Sequence, residues 1–217
     1  MPMFSYRVRY DAGSAPNPFW GICTLVICKP IIRRRARVGD WVVGTGSAAS
    51  PTGDLSGSVV YAMQVTRTLS MPAYDVWSAK HLRKRPDPSH PDPRRAVGDS
   101  IYDFASNSPT PPMVRPGSHT EAERAHDLSG RRALLSTRFV YFGRAAVPLP
   151  PHLLGIIKDG PGHRSMSITA LEGPFVAWLE TLGHPWGSVM AMPSGWSARV
   201  ELPGQCVRAE RQTKHCT

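Results

Sequence analysis

From Phe4 to Tyr10 apolar and polar side chains alternate, with Phe4, Tyr6, Val8 and Tyr10 set against Ser5, Arg7 and Arg9. A period of two places one set on a buried face, so the segment predicts a half-buried strand. Asp11 to Phe19 holds Gly13, Pro16, Asn17 and Pro18, which is loop chemistry. Cys23 to Cys28 (CTLVIC) is continuously apolar apart from Thr24 and predicts a buried strand, closed by Pro30. Ile31 to Val38 then carries Arg33, Arg34, Arg35 and Arg37. Gly39-Asp40 forms a turn into a strand at Trp41–Gly44, and Val59–Thr66 (VVYAMQVT) predicts another. Four strands with short connections predict a meander able to curl into a small barrel or a strongly bent sheet.

The second half changes character. Tyr74 to Arg85 predicts a short helix, apolar at Val76, Trp77 and Leu82, strongly basic at its end and stopped by Pro86. Residues 86–117 hold eight prolines and little periodicity beyond Val97–Tyr102, and predict a long surface loop. Ser118-His119-Thr120-Glu121 fits a capping box for a helix that Gly130 ends. Ala133–Phe142 predicts a strand or a pair of strands, and Pro150-Pro151 a short helix through Ile157. Gly160-Pro161-Gly162-His163-Arg164 is a glycine-rich turn. Pro174 opens a helix with Phe175, Trp178, Leu179 and Leu182 on one stripe and Gly183 at its end. Residues 1–183 therefore predict one domain of class α+β: a mostly antiparallel curled sheet or barrel, covered by a few short helices. Residues 184–217 predict a partly irregular extension.

Composition narrows this further. A hydrophobic fraction of 41% is enough for a real core, while 22 prolines and 19 glycines weigh against a helical bundle. A formal charge of +10 attracts polyanions, so the expected partner is a nucleic acid or a nucleotide. No apolar run approaches the roughly 18 residues of a spanning helix, and no signal peptide is evident. The expectation is a cytoplasmic protein, away from the membrane, with Cys23, Cys28, Cys206 and Cys216 reduced.

Candidate chemistry falls into three groups. Asn17, Phe19 and Trp20 suit a platform on which a base stacks while an amide reads its edge. Thr45 and Ser47 at the glycine-rich bend, with Tyr141, His163 and Arg164, complete the candidate base-binding set. Arg33, Arg34, Arg35 and Arg37, with Lys80 and Arg83, form two basic groups suited to phosphates. His119 and Asp127 bracket a short helix at a spacing that puts them on similar faces, so they and His163 are the acid/base candidates. Cys23 and Cys28 read as core thiols on opposite faces of one strand. Their gap of four meets the outer limit of zinc spacing, but no matching Cys or His pair follows, and no dinucleotide fingerprint or phosphate loop is present, so no metal or cofactor is expected.

Five blocks, taken in order, resemble the nucleotide modification associated domain 2 family of bacteria and phages. They are YDAGSAPNPFWGICTLVICKP, IRRRARVGDWVVGTGS, VVYAMQVT, LLSTRFVYFGRAA and GPGHR, spread over residues 6–164. The resemblance implies association with systems that make or handle modified bases in DNA, including defence systems, without supplying a reaction. Separately, a Gly-Asp turn before an apolar strand and then VVYAMQVT is similar in pattern to the core of PUA-, ASCH- and EVE-type barrels, which hold a flipped base. Two functions stay open: a domain that binds a modified base in a pocket, and an enzyme acting on a base or nucleotide through His119, Asp127 and His163.

Overall fold

A computed structural model describes residues 2–105 and 112–196. Its frame is an open six-stranded sheet. The alternating segment near the start supplies β1 (Met3–Arg7). A short β2 (Cys23–Leu25) follows, then α1 (Pro30–Arg35), β3 (Trp41–Thr45), β4 (Ser58–Gln64) and β5 (Arg67–Ser70). Ser70 caps α2 (Met71–Ala79) by accepting the Ala73 N–H. Next come α3 (Pro93–Ala96), β6 (Tyr102–Asp103), β7 (Met113–Val114) and α4 (Glu121–Leu128). The chain continues through β8 (Arg132–Ser136), β9 (Arg138–Tyr141), β10 (Val147–Pro148), α5 (Glu172–Thr181) and β11 (Ser188–Val189).

The large sheet runs β1-β3-β4-β9-β11, with β10 also on β4. Its pairings are antiparallel except β1 with β3 and β9 with β11, which are parallel. A second, antiparallel sheet runs β2-β8-β5, and β6 pairs with β7. The described strands therefore form open sheets in a mixed α/β arrangement, and the barrel expectation is corrected: β1 and β11 end the large sheet without meeting.

Side-chain alternation shows why the sheets stack. Phe4, Tyr6, Val42, Val60 and Met63 project toward Cys23, Leu25 and Leu134 of the small sheet and Ile32 of α1. Met3, Trp41, Val43, Val59 and Ala62 project the other way, onto Leu153, Ile156, Ile168, Phe175 and Leu179. Those last come from two 3-10 turns (Pro151–Ile156 and Met166–Leu171) and from α5. Behind the small sheet a third cluster joins Val26, Ile27, Met71, Tyr74, Ile101, Tyr102 and Ala133. Each fully buried large apolar side chain contributes about 1.5–3 kcal/mol, so three such layers hold a chain rich in loops.

Within residues 86–117, the Val97–Tyr102 stretch that interrupts the expected surface loop is the part that turns inward: Asp99, Ser100, Ile101 and Tyr102 are buried. A proline-rich segment enters the core here because Tyr102 and Ile101 cover the small sheet. Residues 184–196 belong to the same body: β11 extends the large sheet, and Trp196 packs on Phe19 with centroids 5.6 Å apart. Cys206, Cys216 and the rest of the extension lie outside the described residues. No helix among the described residues is long and apolar enough to cross a membrane.

Candidate active site

The small sheet hands the chain to α1 through a sharp corner. Cys28 and Lys29 both take left-handed backbone angles, φ 56° and 42°, immediately before Pro30 opens the helix. Left-handed non-glycine residues cost of order 1 kcal/mol each and persist where their surroundings over-determine them. Two buried groups do so here. Asp127, at the end of α4, accepts the Cys28 N–H with Oδ1 at 2.7 Å. Arg33, one helical turn on, donates from Nε to the Cys28 carbonyl at 2.7 Å. Its remaining donors reach the carbonyls of Arg132, at 2.9 Å, and Asp127.

The corner aims the Cys28 thiol at His119. Sγ lies 3.4 Å from Nε2, while Nδ1 of the same ring lies 2.6 Å from Asp127 Oδ2. Tyr102 donates to that same Oδ2 at 2.7 Å. His119 sits just before α4 and Asp127 in its last turn; a capping box of Thr120 and Glu123 fixes the start of that helix. The box lies two residues beyond the one expected from Ser118.

Charges follow from this geometry. The hydrogen bond to Asp127, reinforced by Cys28, raises the His119 imidazole to about 10, so it is a cation at neutral pH. Burial pushes the Asp127 carboxyl up, but the bonds from His119 and Tyr102 outweigh it and hold it below its ordinary value. A nucleophile, an imidazolium and an orienting carboxylate in a line are the working parts of thiol-based covalent catalysis. His163 lines the same cavity as Cys28; its imidazole is lowered by burial and by Arg35 and Lys29, and is neutral. Cys28, Ile31, Ile32, His126 and His163 line a cavity of about 290 Å³.

The ligand atoms of Cys28, His119 and Asp127 also lie within 4.8 Å of one another, as a metal site requires. Both carboxylate oxygens are already taken: Oδ1 by Cys28 N–H, Oδ2 by His119 and Tyr102. That leaves Sγ and Nε2, two ligands where a catalytic zinc ion takes three from the protein. The donor set fits an ion poorly and a proton relay well.

The other sequence candidates scatter. Asn17 is fully buried, its amide bonded to the carbonyls of Gly13 and Val97 and its Oδ1 to Lys84 Nζ at 2.6 Å. It shares no open hollow with Ser47. Thr45 is buried on the Tyr6 carbonyl, and Tyr141 donates to Asp11 at 2.5 Å. Phe19 packs under Trp196. Each is tied into the core, which corrects the expectation that Asn17, Phe19, Thr45 and Tyr141 line a base-binding pocket. The guanidinium groups of Arg83 and Arg94 lie over the Trp20 ring, 4.9 and 4.5 Å from its centroid, while Lys80 is exposed nearby. Arg33 is buried and corrects its assignment to phosphate; Arg34, Arg35 and Arg37 are exposed. Arg164 bonds the Gly155 carbonyl at 2.6 Å, and Ser47 borders a second cavity beside the first. Cys28 was missed as a site residue because CTLVIC reads as one strand. Its one signal was position, at the strand end two residues before a proline.

No curated protein and no solved structure matches the chain. The model of nucleotide modification associated domain 2 matches residues 1–199, and the chain belongs to that family.

Proposed function

We propose that the protein is a cysteine-dependent enzyme acting on a nucleotide or nucleobase substrate, with Cys28 as nucleophile. One observation carries the reading: the chain of short contacts from Sγ to Nε2 (3.4 Å) and from Nδ1 to Asp127 (2.6 Å), opening on a cavity. Sγ adds to an electrophilic carbon of the substrate, and His119 donates its Nε2 proton to the leaving group. Water then attacks the thio-adduct, returning a proton to His119 and releasing Sγ. Asp127 keeps the ring in the orientation this needs. His163, neutral and facing the same cavity, is placed to hydrogen-bond the substrate. Membership of a nucleotide-modification-associated family supports the substrate class. A purely base-binding role draws less support, since Asn17, Thr45 and Tyr141 are committed to the core.

The test follows product and adduct together. The wild type, Cys28→Ser and His119→Ala are incubated with nucleotides extracted from cells or phage, and both solution and protein are read by mass spectrometry. The reading expects substrate loss with wild type only, and a mass adduct confined to Cys28. Turnover surviving in Cys28→Ser defeats it.

A further inference from the structure

The thiol cavity has a neighbour of opposite character. Arg7, Arg9, Lys29 and Ser47 line a hollow of about 440 Å³, and Lys29 and Gly162 border both cavities. The first is walled by Pro30, Ile31 and Ile32 beside Cys28; the second carries the cations Arg7, Arg9 and Lys29. Among the described residues no carboxylate pairs with Arg9 or Lys29. Arg7 meets only Asp159, at 3.3 Å, and that carboxylate is 85% exposed, where an ion pair is weak. The Arg7 Nε is buried with no hydrogen-bond partner. Lys29 Nζ lies 4.5 Å over the Tyr6 ring, and burial with the nearby Arg9 disfavours its charge.

The walls leave room for an anion. Gly160 and Gly162 hold φ of 73° and 95°, and a side chain at Gly160 meets nothing within 4 Å. Their bare backbone gives a ligand close approach. Ala48 and Ala49, which also line the hollow, are small. The Ser47 hydroxyl accepts from the Ala49 N–H, so its own proton is free to donate.

We propose that the Arg7–Arg9–Lys29–Ser47 hollow is a phosphate subsite, so that the substrate is a phosphorylated nucleotide whose base or base substituent lies over Cys28. This rests on the Cys28 reading for its second half only. Neither cavity alone matches both halves of a nucleotide. Together they offer a cationic end for phosphate and an apolar, thiol-bearing end for the base.

Calorimetry with inorganic pyrophosphate, thymidine 5′-monophosphate and thymidine tests the subsite directly. Pyrophosphate and the monophosphate should bind, thymidine about tenfold more weakly than its monophosphate. Arg9→Glu should weaken both anions about tenfold and Arg9→Lys should restore most of the loss. The monophosphate should slow iodoacetamide alkylation of Cys28. A single-stranded oligonucleotide that displaces pyrophosphate supports polynucleotide phosphate as the natural occupant; one that fails to displace it supports a free nucleotide. Equal binding of thymidine and its monophosphate, or anion binding indifferent to Arg9→Glu, overturns the subsite. Intact anion binding with Cys28 alkylation indifferent to His119→Ala leaves the subsite standing and overturns the enzyme reading instead.

Discussion

Asp127 and Cys28, ninety-nine residues apart in the chain, are joined by a 2.7 Å bond from the Cys28 N–H to the Asp127 carboxylate. The same carboxylate holds His119, so one buried group sets both the backbone of the nucleophile and the ring that serves it. Asp127→Asn keeps the shape and removes the charge. It should slow iodoacetamide alkylation of Cys28 at neutral pH by about tenfold or more, through loss of the imidazolium. It should also cost about 2 kcal/mol in urea denaturation, the range for hydrogen bonds to a charged group. An alkylation rate unchanged from wild type removes Asp127 from the relay.

His119 makes stability depend on pH in a definite direction. Its folded value, about 10, lies above the ordinary 6.5, so the folded state holds the proton more tightly. The contribution is complete below about pH 6.5 and is lost as pH rises toward about 10. Melting temperatures of wild type and His119→Gln should therefore differ most near pH 6 and converge as the pH approaches 10. Asp127, held below its usual range, loses its own contribution only as the pH falls below about 4, outside this window. A gap that stays constant or widens with pH contradicts the ion pair.

Gly130 matters through space rather than through its backbone angle. A Cβ there lies 2.5 Å from the Arg33 guanidinium, which is pinned by three carbonyls and has nowhere to go. Gly130→Ala should destabilise by about 1–3 kcal/mol and also slow Cys28 alkylation, because Arg33 braces the Cys28 carbonyl. Gly173→Ala, whose added methyl meets nothing within 4 Å, is the control and should be neutral or slightly stabilising. Equal urea midpoints for the two variants argue that Arg33 has slack.

The sequence made β1 and β3 legible because their apolar side chains alternate between the two faces of the sheet. Trp41 and Val43 face one way and Val42 the other, whatever surrounds them. The short elements β5, β10 and β11 carry too few residues to show a period, and their pairing partners lie far away in the chain. His119 and Asp127 were visible as a pair because helical spacing relates them. Their contact with Cys28 was hidden: it depends on two left-handed residues, which apolar patterning cannot reveal. The basic runs misled for a related reason. Arg33 sits beside the exposed Arg34 and Arg35, and Lys84 beside the exposed Arg83, and nothing local marks which residues of each run turn inward.

Lys84 shows how much such a residue can carry. Its ammonium donates to the Asn17 carbonyl and Oδ1, to the Ile22 carbonyl and to Thr24 Oγ1, at 2.6 to 3.2 Å. Thr24 passes its own proton to Asp99, which also accepts from Tyr74. Burial pulls the lysine down to about 8, so the charge is costly and its partners offset that cost. Lys84→Met preserves length and apolar stem but removes the donor to Asn17 Oδ1 and to the Ile22 carbonyl. The loss should be about 3 kcal/mol or more by chemical denaturation, far above the few tenths expected for Lys80→Met on the exposed neighbour. If the two variants unfold at the same denaturant concentration, Asn17 is not anchored by Lys84, and the loop from Gly13 to Ile22 is held by other contacts.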